Sequence, residues 1–192
     1  MAGPSRYTAL LDACVLYPAV VRDALMSLHV AGFYAAKWTA QIDHEWTSNL
    51  LKNRSDLGAD RLAVTCQRMH RAVRDWQVTN YEALIEGLSL PDPDDRHVLA
   101  AAIRGHADCI VTSNLDDFPK DYVATFDIEV IHPDDFLILQ LDLDEVRALK
   151  AFKSMRARLE NPKMSPEAFV QNFAQVGLGR TSAKLAEDLE LL

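Results

Sequence analysis

The chain reads as an α/β protein, a central parallel sheet with helices on both faces, followed by an all-helical C-terminal segment. Three observations predict this. Short apolar runs suited to strands alternate with amphipathic helical stretches over residues 7 to 140. Several of these runs end in an acid or another polar residue, as strands do when they open onto a ligand crevice. From residue 142 onward apolar residues recur only at helical spacing. The expected division is therefore an α/β domain over 1–141 and a helical extension over 142–192.

The elements follow in order. "YTALLDACVLYP" carries a compact apolar run, Ala9 to Leu11, ending in Asp12. Pro18 suits the first turn of a helix, and "AVVRDALMSLHVAG" continues it with Val20, Leu25 and Leu28 until Gly32. "FYAAKW" is a second extended piece. Thr39 is an N-cap for "AQIDHEWTSNLLKN", whose buried stripe is Ile42, Trp46 and Leu50. A longer helix is expected from Gly58 to about Trp76, with Leu62, Cys66, Met69, Val73 and Trp76 on one face. Arg68, Arg71 and Arg74 lie on the other face, where they form an ordinary solvated surface or track an RNA backbone. "LSLPDPDD" breaks the chain, and a helix is expected from about Asp95 to His106. "DCIVT" and "TFDIEVI" are strand candidates, the second closed by "HPDDF".

In the C-terminal segment Ala148, Phe152, Met155 and Leu159 share a stripe that stops before Pro162. Ser165 and Pro166 start the next helix and Gly177 ends it, with Phe169, Phe173 and Val176 apolar. Leu185, Leu189 and Leu192 repeat along the last piece.

Composition excludes several classes. Hydrophobic residues make up 49% of the 192, enough for a core. No run approaches the roughly 18 apolar residues of a membrane span. Asp12 interrupts the N-terminal apolar run, so no secretory leader is expected and the protein reads as cytoplasmic. Three widely spaced cysteines fit neither a disulfide framework nor a thiolate metal site. A net charge of −8 is unlike a domain that holds nucleic acid by bulk charge. Metal-binding carboxylates count as negative in that sum, however, and bound cations would reverse their sign locally.

The acids are the candidate site. Asp12 ends the first strand, Asn114, Asp116 and Asp117 follow "DCIVT", and Asp95 begins the helix feeding that strand. Glu45 sits beside the buried stripe of its helix. Each acid has a plainer role available: Asp12 in a turn, Asp94 and Asp95 as helix caps, Asp116 and Asp117 in a turn. Gathered in one crevice, they would repel one another unless hard cations neutralised them. The matching chemistry is metal-assisted phosphodiester hydrolysis.

The ordered pieces "LLDACVLYP", "IDHEW", "DDRHVLAAAI", "IVTSNLDDF" and "IEVIHPDDFL" resemble the PIN-domain family, in particular the VapC toxin nucleases, across residues 7 to 140. The resemblance implies a Rossmann-like α/β/α sandwich and Mg²⁺- or Mn²⁺-dependent endoribonuclease activity. It also implies acid ligands at Asp12, Glu45 and Asp95. A fourth position follows "DCIVT", at Asp117, with Asn114 and Asp116 as alternatives. Thr112 matches a hydroxyl often found near the site. The family often carries Asn or Ser two residues after the first acid. Cys14 stands there in this chain, and a polar helper is expected to be missing. A VapC toxin further implies an RNA substrate, a cognate antitoxin that buries an Arg in the acidic crevice, and a homodimer.

Two other classes share parts of this pattern. A non-catalytic interaction module would keep the fold without cleaving RNA. A phosphoaspartate receiver or phosphatase fits poorly, because Cys14 stands where the phosphatase class needs an Asp and the receiver's acidic pair and late Lys are missing.

Overall fold

A computed structural model describes residues 7–54, 56–159 and 163–192. Four strands, β1 (Thr8–Leu11), β2 (Ala35–Lys37), β3 (Cys109–Val111) and β4 (Glu129–Ile131), form one sheet in the order β2-β1-β3-β4. All three pairings are parallel, as the alternation of strands and helices predicts. The helices are α1 (Ala13–Leu16), α2 (Ala19–Val30), α3 (Ala40–Asn53), α4 (Ala59–Ala72), α5 (Glu82–Ile85), α6 (Arg96–Arg104), α7 (Lys120–Val123), α8 (Pro133–Leu143), α9 (Glu145–Ala157), α10 (Pro166–Gln175) and α11 (Gly179–Ala186).

Two compact units emerge, and neither is a single stretch of sequence. The first comprises residues 1–17 and 34–132, the second residues 18–33 and 133–192. In the first unit the central strands are wholly buried from Ala9 to Leu11 and from Cys109 to Val111, which explains their unbroken apolar sequence. Their order reverses between β1 and β3, so the crevice beyond their carboxyl ends is a topological switch point. Leu11 is paired with Val111, which brings Asp12 level with Thr112 at that crevice.

The second unit is helical. The helix that follows Pro18 groups here with the C-terminal helices, packing against α9 and also meeting α8 and α10. Its core includes Leu25, Phe136, Phe152, Phe169, Phe173 and Leu185. Phe173 stands edge-on to both Phe152 and Phe169, with ring centres 5.7 and 5.2 Å away. Ser165 caps α10 and Pro166 opens it, while Gly177 follows with a positive φ of 83°. The helix expected to stop before Pro162 ends at Ala157, and Pro162 itself lies outside the described residues.

Two expected elements are shorter than their sequence pattern. The helix read as running to Trp76 ends at Ala72. Beyond it the backbone turns extended and pairs with Trp38: Trp38 N–H donates to Trp76 C=O, and Val78 N–H to Trp38 C=O. The apolar stripe persists because the Trp76 ring stacks on His70 and Trp38, so its burial does not need helical geometry. The strand read over "TFDIEVI" is confined to Glu129–Ile131, because Asp127 adopts a left-handed φ of 58° and breaks the extended run. No described helix is long and apolar enough to cross a membrane.

Candidate active site

All the candidate acids belong to the first compact unit. Asp12 is 4% exposed and begins α1 directly after β1. Its Oδ1 accepts from the Ala13 backbone N–H at 2.6 Å. Its Oδ2 accepts from the Thr112 hydroxyl at 2.7 Å and the Cys14 thiol at 3.0 Å. Two side chains and a backbone donor therefore hold the carboxyl group where the apolar strand runs out. Thr112, wholly buried at the end of β3, also accepts from Asn114 N–H at 3.0 Å. A single hydroxyl thus ties the first acid to the loop carrying the later ones.

Cys14 corrects one expectation. A polar helper was expected to be missing two residues after Asp12, but the thiol takes that role. It contacts Thr112 Oγ1 at 3.3 Å and accepts from Ser113 N–H at 3.2 Å, besides donating to Asp12. Burial, and then the Asp12 charge, push its pKa up to about 12, so it stays a neutral S–H donor.

Asp95 is half-buried at the start of α6. It makes no capping bond; Asp92 does, accepting from Asp94 N–H at 2.8 Å. Asp95 is thus released from the plain role its position offered. Its pKa is pushed up to about 6, first by burial and then by the charges of Asp12, Asp117 and Asp92, while His97 opposes the shift. This mutual repulsion places Asp12, Asp95 and Asp117 within one electrostatic neighbourhood. Of the three residues after β3, Asp117 is one whose charge acts on Asp95. Asp117 is half-buried, whereas Asn114 and Asp116 are exposed.

Glu45, half-buried on α3, lies with its Oε1 3.0 Å from His97 Nε2. Gln41 Nε2 donates to the same oxygen at 3.1 Å. His97 was not singled out from the sequence, where it looks like one polar residue in the apolar run "HVLAAAI"; the usable signal was its place two residues after Asp95. Asp43, next to this pair, takes a different part. It accepts from Trp46 Nε1 at 3.0 Å and lies 2.7 Å from His70 Nε2, which secures α3 against α4.

The donor set consists of hard oxygens, suited to Mg²⁺ or Mn²⁺ rather than a thiolate metal. The repulsion at Asp95 is what a cation among these acids would relieve. Among the described residues, no three His, Cys, Asp or Glu side chains already converge as a ready metal-ligand group. Arg68, Arg71 and Arg74 are all exposed, but Arg74 lies past the end of α4 rather than on its outer face.

The comparisons agree with this geometry. The family model "PIN domain" matches residues 8–116, and "VapC50 C-terminal domain" matches residues 133–187. A Mycobacterium tuberculosis (strain ATCC 25618 / H37Rv) protein named "Putative ribonuclease VapC50" is 43% identical over 76 residues, covering 40% of this chain and 45% of that relative. The match therefore spans less than half the length of the curated relative. No solved structure gives a significant match. With the PIN description covering more than half of the chain, including Asp12, Glu45 and Asp95, the chain belongs to the PIN-domain family.

Proposed function

We propose that this protein is a Mg²⁺- or Mn²⁺-dependent endoribonuclease and the toxin of a type II toxin–antitoxin pair. The observation that carries this reading is the switch-point acid pair. Asp12 is fixed by Thr112 at the end of β1, and burial, then the charges of Asp12 and Asp117, raise the pKa of Asp95. Asp12, Glu45, Asp95 and Asp117 would hold the metal, with Asn114 and Asp116 as alternatives for the last position.

A bound divalent cation supplies charge neutralisation and an activated water at neutral pH. The chain's own part is positioning. Thr112 and Cys14 keep the Asp12 carboxylate oriented, and Glu45 would add its carboxylate from α3. Exposed arginines on and after α4 would meet phosphate groups of an RNA. The acidic crevice suits an Arg inserted by a cognate antitoxin. Homodimerisation, a cytoplasmic site of action, and a nuclease domain followed by a helical extension complete the reading. The named ribonuclease relative supports it.

The test is RNA cleavage by the purified full chain with Mn²⁺, with chelator, and after Asp12→Asn or Asp95→Asn. Cleavage should require the metal. Each substitution should cost more than the roughly 10–100-fold typical of losing only an outer partner of a metal ligand. A folded Asp12→Asn variant that cuts as fast as wild type would overturn the assignment.

A further inference from the structure

We infer that His97 and Gln41 are positioning residues that fix one oxygen of Glu45 and leave the other to take the metal. This rests on the reading of Glu45 as a ligand given above. The two contacts converge on one atom: His97 Nε2 at 3.0 Å and Gln41 Nε2 at 3.1 Å both meet Glu45 Oε1. No comparable contact engages Oε2 among the described residues. A carboxylate held this way presents a single oxygen in a set direction. Mg²⁺, which demands near-ideal octahedral geometry, is sensitive to that direction.

The supports extend outward. Gln41 and Glu45 are four residues apart on α3, so they share a face. The Tyr81 hydroxyl, on a residue 5% exposed, donates to Gln41 Oε1 at 3.3 Å. That bond fixes the amide orientation, because a flipped amide would turn its oxygen onto the carboxylate. His97 is itself 5% exposed, and its Nδ1 has no partner among the described residues. A residue present only for packing would not leave a buried ring nitrogen unpaired, since Leu or Val could fill the space without that cost. What the position gains from histidine is the Nε2 donor at Glu45. Because Asp95 and His97 flank the start of α6, one short segment carries a candidate ligand and the support of another.

The experiment is a Mn²⁺ titration of the full chain followed by thermal shift, comparing wild type with Glu45→Gln, His97→Ala, His97→Gln and Gln41→Ala. His97→Ala should weaken Mn²⁺ binding by roughly 10-fold or more. His97→Gln, which can return an N–H donor, should recover most of that loss. Gln41→Ala, at an exposed position, should weaken binding several-fold while leaving the chelated melting temperature at the wild-type value. A folded His97→Ala that binds Mn²⁺ as wild type does, or His97→Gln as weak as His97→Ala, would overturn the inference. If His97→Ala does not fold, His97→Gln and Gln41→Ala decide it, and wild-type binding by Gln41→Ala counts against it. If Glu45→Gln binds Mn²⁺ like wild type, the metal reading itself fails and the inference goes with it. If Glu45→Gln is weak while the supporting variants are not, the inference alone fails.

Discussion

Asp12 in the sheet unit and Asp134 in the helical unit are buried to nearly the same degree, at 4% and 6% exposure. Each accepts from backbone N–H groups and from a threonine hydroxyl at 2.7 Å. Their surroundings differ. Asp134 on α8 reaches the start of α11, where it accepts from Arg180 N–H at 2.9 Å and Thr181 N–H at 2.8 Å. These donors tie it to the start of a helix 46 residues away. Asp12 is equally well held, yet its charge falls on Asp95. A buried acid answered by donors is a fastener. A buried acid answered by donors on one side and by acids on the other is a candidate site.

The largest expected effect tests the helical unit as a whole. Truncation after Leu141 removes the partners of α2 and α8 within that unit, including buried Phe152, Phe169 and Phe173. Each such side chain is worth roughly 1.5–3 kcal/mol of burial. The truncated chain should aggregate or elute as large species in size-exclusion chromatography. A well-behaved monomer or dimer would show that the helical unit does not depend on those contacts.

The next effect separates the two aspartates. Asp134→Asn must set an NH₂ group against one of two fixed backbone N–H donors, which should cost about 1–3 kcal/mol in urea denaturation. Asp12→Asn meets a Thr112 hydroxyl and a Cys14 thiol, and both can rotate to accept. Its stability in chelator should therefore stay near wild type. Equal losses in both variants would erase the distinction.

Asp95 gives a smaller effect, with a defined pH window. Its folded pKa of about 6 lies above the ordinary 3.8. The folded chain therefore holds that proton more tightly, and its contribution to stability is present at low pH and lost as pH rises through about 6. In chelator, Asp95→Asn should flatten this fall and raise the melting temperature at neutral pH. An unchanged pH profile would mean that neither burial nor the other acids raise the Asp95 pKa. The smallest effects come from the loop after β3. Asn114→Ala and Asp116→Ala should shift the Mn²⁺ midpoint less than Asp117→Ala does, and a reversed order would move the fourth position.

The parts of the fold legible in the sequence were those set by short-range rules. Thr39 caps α3 by accepting from Ile42 N–H, and Ser165 caps α10 through Ala168 N–H, each at the expected residue. The apolar runs at Ala9–Leu11 and Cys109–Val111 became the central strands because burial on both faces leaves no polar alternation to confuse. The illegible parts depend on distant partners. α4 stops early because Trp38 offers backbone pairing to the chain after it, while stacking on His70 and Trp38 keeps Trp76 within the apolar pattern. The grouping of α2 with the C-terminal helices is written in no local motif. In the candidate site, Asp12 and Asp95 stand out by residue type and position, and Glu45 chiefly through the family resemblance. The Cys14 thiol, His97 and Gln41 could not, because their roles depend on which oxygen each one meets.

The most direct test of the central claim, that the acids beyond β1 and β3 form a metal site, is the melting temperature in chelator against millimolar Mn²⁺ for wild type, Asp12→Asn and Asp134→Asn. Binding to the folded state alone must raise stability by mass action. The wild type should gain stability with Mn²⁺, and Asp12→Asn should lose most of that gain. Asp134→Asn should start lower yet gain as much as wild type. No gain in the wild type, or a full gain in Asp12→Asn, would contradict the account.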